Sequence, residues 1–100
     1  MLIVLGKASL GEGALEGGRA ALDATIAASL KEEGCIDYAY SIDILDPSIM
    51  RITEKWVDEA ALVTHFQTPH MAAFQKALAT LDVTITEVAK FQADEGSPLM

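Results

Sequence analysis

Cysteine is almost absent from the sequence, since Cys35 is the only one among 100 residues. A single thiol cannot form an internal disulfide, and a lone cysteine is typical of a reducing compartment. No apolar run approaches the ~20 residues that a membrane-spanning helix needs. Residues 1–5 carry no basic leader and no small-residue cleavage site, so we expect no signal peptide. These absences predict a cytoplasmic protein.

Basic residues are also scarce: seven lysines and arginines stand against fifteen aspartates and glutamates, and the net charge is −8. Such a chain repels phosphate backbones and anionic lipid headgroups, so we expect no nucleic acid and no membrane surface as a partner. The apolar fraction of 51% excludes a disordered chain. The length accommodates one domain, which we place at residues 1–93, followed by a C-terminal tail at residues 94–100.

Apolar periodicity predicts the first strand and the first helix. Residues 2–8 are apolar at both parities, which is typical of a central strand that is covered on both faces. From Ala14 the apolar residues recur at steps of three and four, which predicts an amphipathic helix that Gly34 ends in the left-handed conformation. The predicted inner face of this helix comprises Leu15, Arg19, Leu22, Ile26 and Leu30.

A hairpin and a broken second helix follow. Residues 36–44 and 50–56 alternate between apolar and polar side chains on either side of the turn sequence Asp46-Pro47-Ser48. Asp58 is placed to cap the next helix, and Thr68-Pro69 restarts it with a capping hydroxyl and a proline at the first helical position. Residues 83–91 form the last predicted strand. The inner face predicted for the first half of the broken helix comprises Ala61, Leu62, His65 and Phe66.

The resulting order β-α-β-β-α-β predicts an α+β protein of the ferredoxin-like class, with a four-stranded antiparallel sheet. In that fold the helices cover only one face of the sheet. The first strand is apolar on both faces, so its second face needs another cover. Exposed contiguous apolar patches usually mark interfaces, and we therefore expect a homodimer.

Several polar and aromatic side chains interrupt the predicted apolar faces. Glu54 lies between Ile52 and Trp56 on one strand face, and a buried carboxylate must be paired or protonated. Such carboxylates are enriched at functional positions, although packing in the core equally accounts for Trp56. We expect a pocket between the helices and the sheet. Its predicted lining comprises Tyr38, Glu54, Trp56, His65 and Phe74.

The two histidines are the candidates for acid–base chemistry. His65 lies on the apolar face of its helix, and His70 lies in the first turn after the break, where the helix dipole favours a neutral imidazole. They are five residues apart, with no H-x-x-x-H spacing and no third ligand in register, so we expect no metal. Cys35 has no basic neighbour to activate it and is expected to be structural.

The sequence resembles the antibiotic biosynthesis monooxygenase (ABM) domain family over roughly residues 2–92. The resemblance rests on Gly34-Cys35-x-x-Tyr38, Glu54-x-Trp56, His65-x-x-Thr68-Pro69-His70 and Phe74. The stretches 31–35 and 67–71 resemble especially the bacterial quinol monooxygenases of this family. The resemblance implies a dimeric α/β barrel in which the sheets of two subunits pack together.

The resemblance also implies a function. Members of the family insert oxygen into a quinol-like or phenolic aromatic with O₂ and without metal or flavin, so no cofactor is expected. His65 or His70 would then be the catalytic base, and Tyr38, Glu54, Trp56 and Phe74 would bind the substrate. The sequence leaves open which histidine is the base.

Other functions within the family stay open, because one fold carries several activities. A non-catalytic dimer that binds a small molecule and an isomerase of a small signalling molecule are the alternatives. Relatives that degrade haem use an Asn, a Trp and a His. This chain contains no Asn, and Gln75 takes the position expected for the haem-ligating His.

Overall fold

The computed structural model describes residues 1–100, and the predicted fold class is confirmed. The chain forms four strands and three helices in the order β-α-β-β-α-α-β, with the second predicted helix divided in two. No helix is long and apolar enough to cross a membrane. The elements are β1 (Leu2–Leu10), α1 (Ala14–Leu30), β2 (Cys35–Ile42), β3 (Ile49–Trp56), α2 (Glu59–Phe66), α3 (Pro69–Leu78) and β4 (Val83–Gln92).

The four strands form one antiparallel sheet in the order β2-β3-β1-β4. β1 is therefore central, as its two apolar faces predict. The register pairs Val4 of β1 with Glu54 of β3, and Glu54 in turn with Tyr38 of β2. Residues that face each other across strands share one side of the sheet, so these three side chains point the same way. This is the side that the helices cover, because all three are buried.

The alternation of inward and outward side chains predicted for β2 is wrong at both ends of the strand. A bulge between Cys35 and Asp37 displaces Ile36, which is half exposed. The strand ends at Ile42, so Ile44 lies in the following loop, where it is almost fully exposed. Tyr38 keeps its predicted inward position and is buried.

The inner face predicted for α1 is wrong by about one residue. Most of its buried residues come one position before the predicted ones. Leu30 is half exposed, and small side chains occupy the face that packs against the rest of the molecule. At Gly18 the helix backbone comes so close to Leu81 that an added Cβ would lie 2.8 Å from its side chain. Close approach thus selects small residues over the larger ones that periodicity favours. The buried residues are Ala14, Gly18, Leu22, Thr25 and Ser29.

The break between α2 and α3 forms as the sequence predicts. Asp58 caps α2 by accepting a hydrogen bond from the Ala61 N–H at 2.9 Å. Thr68 caps α3, with its hydroxyl accepting from the Met71 N–H at 3.3 Å, and Pro69 is the first residue of the helix. The inward position predicted for Phe66 is wrong, because α2 ends at this residue and its ring is more than half exposed.

Gly34 sets the path of the chain between α1 and β2. Its φ of 88° lies in the left-handed region, and a Cβ at this position would approach the Ala61 Cβ to 2.7 Å. The segment that follows α1 therefore lies directly against α2. This close contact places Glu32, two residues earlier, within reach of the helix that carries His65.

We expect Gly34→Ala to lower the free energy of unfolding by about 2–5 kcal/mol. The left-handed conformation accounts for about 1–2 kcal/mol and the forced contact with Ala61 for about 1–3 kcal/mol. Urea unfolding followed by circular dichroism measures the loss.

Gly13→Ala is the matched control, because Gly13 has a φ of 76° and no atom within 4 Å of the added Cβ. It should lose only the conformational part, about 1–2 kcal/mol. Equal losses in both variants would contradict the close packing of Gly34 against α2.

Candidate active site

The carboxylate of Glu32 connects the two histidines. Its Oε2 lies 2.5 Å from Nδ1 of His65 and 3.0 Å from Nε2 of His70. Both contacts are within hydrogen-bond distance, and in each an imidazole N–H donates to the carboxylate oxygen. One oxygen atom thus binds side chains from two helices that are separated by a break. The Glu32 side chain is itself only 12% exposed.

His65 is the most enclosed member of this group, with no exposed surface. A neutral imidazole that donates from Nδ1 carries no hydrogen on Nε2, which is then a hydrogen-bond acceptor. This Nε2 is buried and has no partner in the structure. The ring packs beside Trp56 and Tyr38, with centroids 4.6 Å and 5.4 Å away. An unpartnered lone pair in an aromatic enclosure is placed to accept a proton.

The helix break is what brings both histidines to Glu32. On one continuous helix, residues five apart would point about 140° away from each other, at about 100° per residue. The restart at Pro69 redirects the chain, and the rings of His65 and His70 lie 5.8 Å apart. His70 stays partly in contact with solvent, since a quarter of its side chain is exposed.

Glu54 and Trp56 form the second polar pair of the site. The Trp56 Nε1–H donates to Oε1 of Glu54 at 3.0 Å, and both residues are buried. Burial raises the pKa of Glu54 above its ordinary value, and the Trp56 hydrogen bond together with the nearby His65 partly offsets this rise. The indole N–H is therefore already used within the protein, and a substrate would have to displace Glu54 to reach it.

Tyr38 and Tyr40 form a pair of phenols on β2, with hydroxyl oxygens 2.7 Å apart. Burial raises the pKa of Tyr40 to about 12 and also raises that of Tyr38. Both phenols therefore stay protonated at neutral pH and can donate hydrogen bonds but not act as bases. Phe74 stacks on Tyr40 at 6.1 Å with an interplanar angle of 18°.

The structure brings together most of the predicted site residues. Tyr38, Trp56 and His65 are in mutual aromatic contact, and Glu54 joins them through Trp56. Phe74 belongs to the neighbouring hydrophobic cluster, and it borders the site by stacking on Tyr40 and by lining a cleft with His70. The sequence-based prediction missed Glu32. Glu32 had one recognisable signal, since it follows the C-terminus of α1, where the helix dipole disfavours a negative charge.

Two clefts flank this cluster. One, of about 280 Å³, lies between α1 and the β2–β3 hairpin, with Tyr40 and Met50 among its lining residues. The other, of about 130 Å³, lies between α1 and α3 beside His70 and Phe74. Because His65 has no exposed surface, a ligand in either cleft reaches its Nε2 only if side chains between them move.

Cys35 lies next to this group but is a poor nucleophile. Burial raises the pKa of its thiol to about 11, and the negative charges of Glu32 and Glu54 act in the same direction. The thiol is therefore protonated at neutral pH, which agrees with the structural role expected from the sequence.

Fold and site together define a ferredoxin-like α+β protein in which a carboxylate binds a buried histidine beside a tryptophan and two tyrosines. Residues 1–77 match the antibiotic biosynthesis monooxygenase family, and the chain belongs to that family. The resemblance described from the sequence is thus confirmed.

A curated protein and several solved structures are similar to this chain and support the family assignment. The chain is 39% identical over 57 residues to YgiN of Escherichia coli K12, which is named a probable quinol monooxygenase. That alignment covers 49% of this chain and 55% of YgiN, so the chain spans about half the length of the curated relatives it matches.

Solved structures match over nearly the whole chain. A Deinococcus radiodurans protein assigned to the antibiotic biosynthesis monooxygenases has 30% identity and a TM-score of 0.90, and the match covers 100% of this chain and 99% of that one. A conserved Methanosarcina mazei protein has 26% identity and a TM-score of 0.84, with 93% and 92% covered.

We expect Glu54→Gln to stabilise the protein increasingly as pH rises from about 4.5. The raised pKa of Glu54 means that the folded state keeps this proton while the unfolded state loses it. The wild type therefore loses stability over that window, and Gln, which can still accept from Trp56, does not. Melting temperatures of both proteins between pH 4 and pH 8 measure the difference.

Glu54→Ala and Glu33→Gln are the controls. The alanine variant leaves the Trp56 N–H buried without an acceptor and should be about 1–3 kcal/mol less stable than Glu54→Gln at every pH. Glu33 has an exposed side chain, so its change to Gln should leave the pH dependence as in the wild type. A Glu54→Gln difference that stays constant with pH would contradict the raised pKa.

Proposed function

We propose that this chain is a monooxygenase that oxidises a quinol-like or phenolic aromatic with O₂ and requires no metal or flavin. The observation that carries the proposal is the unpartnered Nε2 of buried His65, whose Nδ1 lies 2.5 Å from Glu32. Membership of the monooxygenase family and the similarity to YgiN support this class of reaction.

The reaction requires from the protein only a base and an active site that excludes water. Oxygen reactions are normally delegated to a cofactor, because triplet O₂ reacts slowly with closed-shell organic molecules. A quinol that has lost a proton can transfer an electron to O₂ itself. One oxygen atom then enters the ring, the other leaves as water, and the quinol becomes a hydroxyquinone.

His65 is the proposed base and Glu32 its positioning residue. The carboxylate fixes the tautomer with hydrogen on Nδ1 and stabilises the imidazolium that forms when Nε2 accepts the substrate proton. This is the role that a carboxylate has for histidine in other catalytic sites. Of the two histidines left open by the sequence, His65 is favoured because the nitrogen of His70 that faces the cluster is bonded to Glu32.

The aromatic side chains around His65 define the kind of substrate. Trp56 and Tyr38 are buried beside His65, and their rings would stack on or edge a planar aromatic molecule once side chains move to admit it. One of the protonated Tyr38 and Tyr40 hydroxyls donates to the other, and the remaining O–H can donate to an oxygenated ring. The cleft beside Tyr40, with a volume of about 280 Å³, is the proposed entry site for the substrate.

The proposal predicts that His65→Ala and Glu32→Gln both lose turnover of quinols at neutral pH. Loss of general-base assistance typically lowers the rate by about 10² to 10⁴, so His65→Ala should lose most activity and Glu32→Gln a smaller part. Consumption of O₂ with a panel of reduced quinols, before and after metal chelation, measures the effect.

Glu33→Gln is the matched control. Glu33 directly follows Glu32 and has an exposed side chain, so this variant removes the same charge without affecting His65. The loss of turnover in His65→Ala should shrink at high pH, because the quinol then ionises without a base. A loss of turnover in Trp56→Phe should stay the same at high pH. Wild-type rates in folded His65→Ala and Glu32→Gln variants would contradict the base assignment. Quinols that raise the melting temperature without consuming O₂ would indicate the alternative, a binding protein.

We further propose that the active form is a homodimer that pairs through the sheet face opposite the helices. Ile3 and Leu5 of β1 lie on that face, opposite Phe91 and Ala89 of β4. Leu5 and Phe91 are each about half exposed in the single chain. A second copy would bury this apolar surface.

The dimer predicts a sedimentation mass of about twice the 10.7 kDa of one chain at micromolar concentration. The double variant Leu5→Glu and Phe91→Glu should sediment as a monomer, because it introduces like charges on both copies of the face. Val63→Glu, on α2 and equally exposed, is the control and should remain dimeric. A monomeric wild type would contradict this part of the proposal.

A further inference from the structure

We propose that Glu32, His65 and His70 form a binding site for one divalent transition-metal ion, and that the bound ion inhibits the protein. The metal binding stands on the geometry of these three side chains alone. The inhibition rests on the proposed function, since it acts on the base that this function requires.

The three ligand atoms already converge. Glu32 Oε2, His65 Nδ1 and His70 Nε2 all lie within 4.8 Å of one another. In a tetrahedral site with metal–ligand bonds of about 2.0–2.2 Å, neighbouring ligand atoms are about 3.3–3.6 Å apart. The two contacts of 2.5 Å and 3.0 Å at Glu32 would therefore each widen by about 1 Å at most. Glu32 follows the end of α1 and His70 is the second residue of α3, so side-chain rotation at both can supply this movement.

The chemistry of the ligands selects the class of ion. Two imidazoles and one carboxylate suit Zn²⁺, Co²⁺, Ni²⁺ or Cu²⁺ and disfavour Mg²⁺ and Ca²⁺, which prefer oxygen ligands. The exposed quarter of His70 gives the ion a path from solvent and leaves a coordination position for water. The net charge of −8 raises the local concentration of cations.

Inhibition follows from the tautomer that the metal requires. To bind an ion through Nδ1, neutral His65 must carry its single ring hydrogen on Nε2. The atom that would accept the substrate proton then becomes a donor. Metal and catalysis therefore use the same imidazole in opposite tautomers, and the ion need not touch the substrate to stop the reaction.

The same tautomer limits the affinity. Metal-binding histidines normally donate their second N–H to an acceptor, and the surroundings of His65 Nε2 offer none. A buried N–H without a partner opposes binding. The site should therefore bind transition metals reversibly and more weakly than structural zinc sites, in keeping with an inhibitory ion.

Trp56 provides a direct measurement of binding. It is the only tryptophan, and its ring centroid lies 4.6 Å from that of His65. Paramagnetic Co²⁺ bound to His65 should quench the Trp56 fluorescence, and Zn²⁺ should displace Co²⁺ and restore it. The experiment uses the untagged full chain after chelation, with the visible absorption of Co²⁺ as a second record of its coordination.

We expect saturable quenching with one Co²⁺ per chain, and His70→Ala and Glu32→Gln should each weaken binding by more than tenfold. Loss of even an indirect partner of a metal site typically costs about 10- to 100-fold in affinity. Glu33→Gln should bind as the wild type does. No saturable binding, or equal binding in all four proteins, would overturn the metal site.

The inhibition is tested separately by O₂ consumption with a quinol. Turnover should fall in proportion to the fraction of protein occupied by Zn²⁺ and return on chelation. Turnover that is unchanged or raised by the ion would overturn the inhibitory role. If no quinol is turned over with or without chelation, the proposed function fails while the Co²⁺ titration still decides the metal site.

Discussion

The bonding of two imidazoles to one oxygen of Glu32 is the interaction on which the rest of the site depends. A fully buried histidine needs a partner for at least one ring nitrogen, because an unpaired polar group in the interior costs about 1–3 kcal/mol. Glu32 meets this requirement for His65 and leaves the other nitrogen free. The turn at Gly34, the break before Pro69 and the packing of α2 all serve to bring that carboxylate to the histidines.

Most of the fold could be predicted from the sequence, because its elements depend on local chemistry. Strand alternation, the Asp58 and Thr68 caps and Pro69 at the first helical position each involve neighbours a few residues apart. The inner face of α1 was the main error. The identity of that face depends on how closely the helix approaches Leu81, and this distance is a property of the tertiary packing.

The site was predicted only in part, for the same reason. The alternation of β3 correctly placed Glu54 and Trp56 on one buried face, and that of β2 did the same for Tyr38. The contact between Glu32 and His65 joins residues 33 apart in sequence, and no periodicity within either element encodes it. The stacking of Phe74 on Tyr40 likewise depends on how α3 packs against the sheet.

The break between α2 and α3 also determines where the chain can change in length. His70 is the second residue of α3, and neighbouring residues of a helix point about 100° apart, so an insertion or deletion that put another residue at its position would turn this ring away from Glu32. The loop between β2 and β3 has no such restriction. Ile44 and Leu45 there are 95% and 90% exposed and contribute nothing to the core. Relatives that keep this site should therefore vary in length at the hairpin and conserve the five-residue spacing of the histidines.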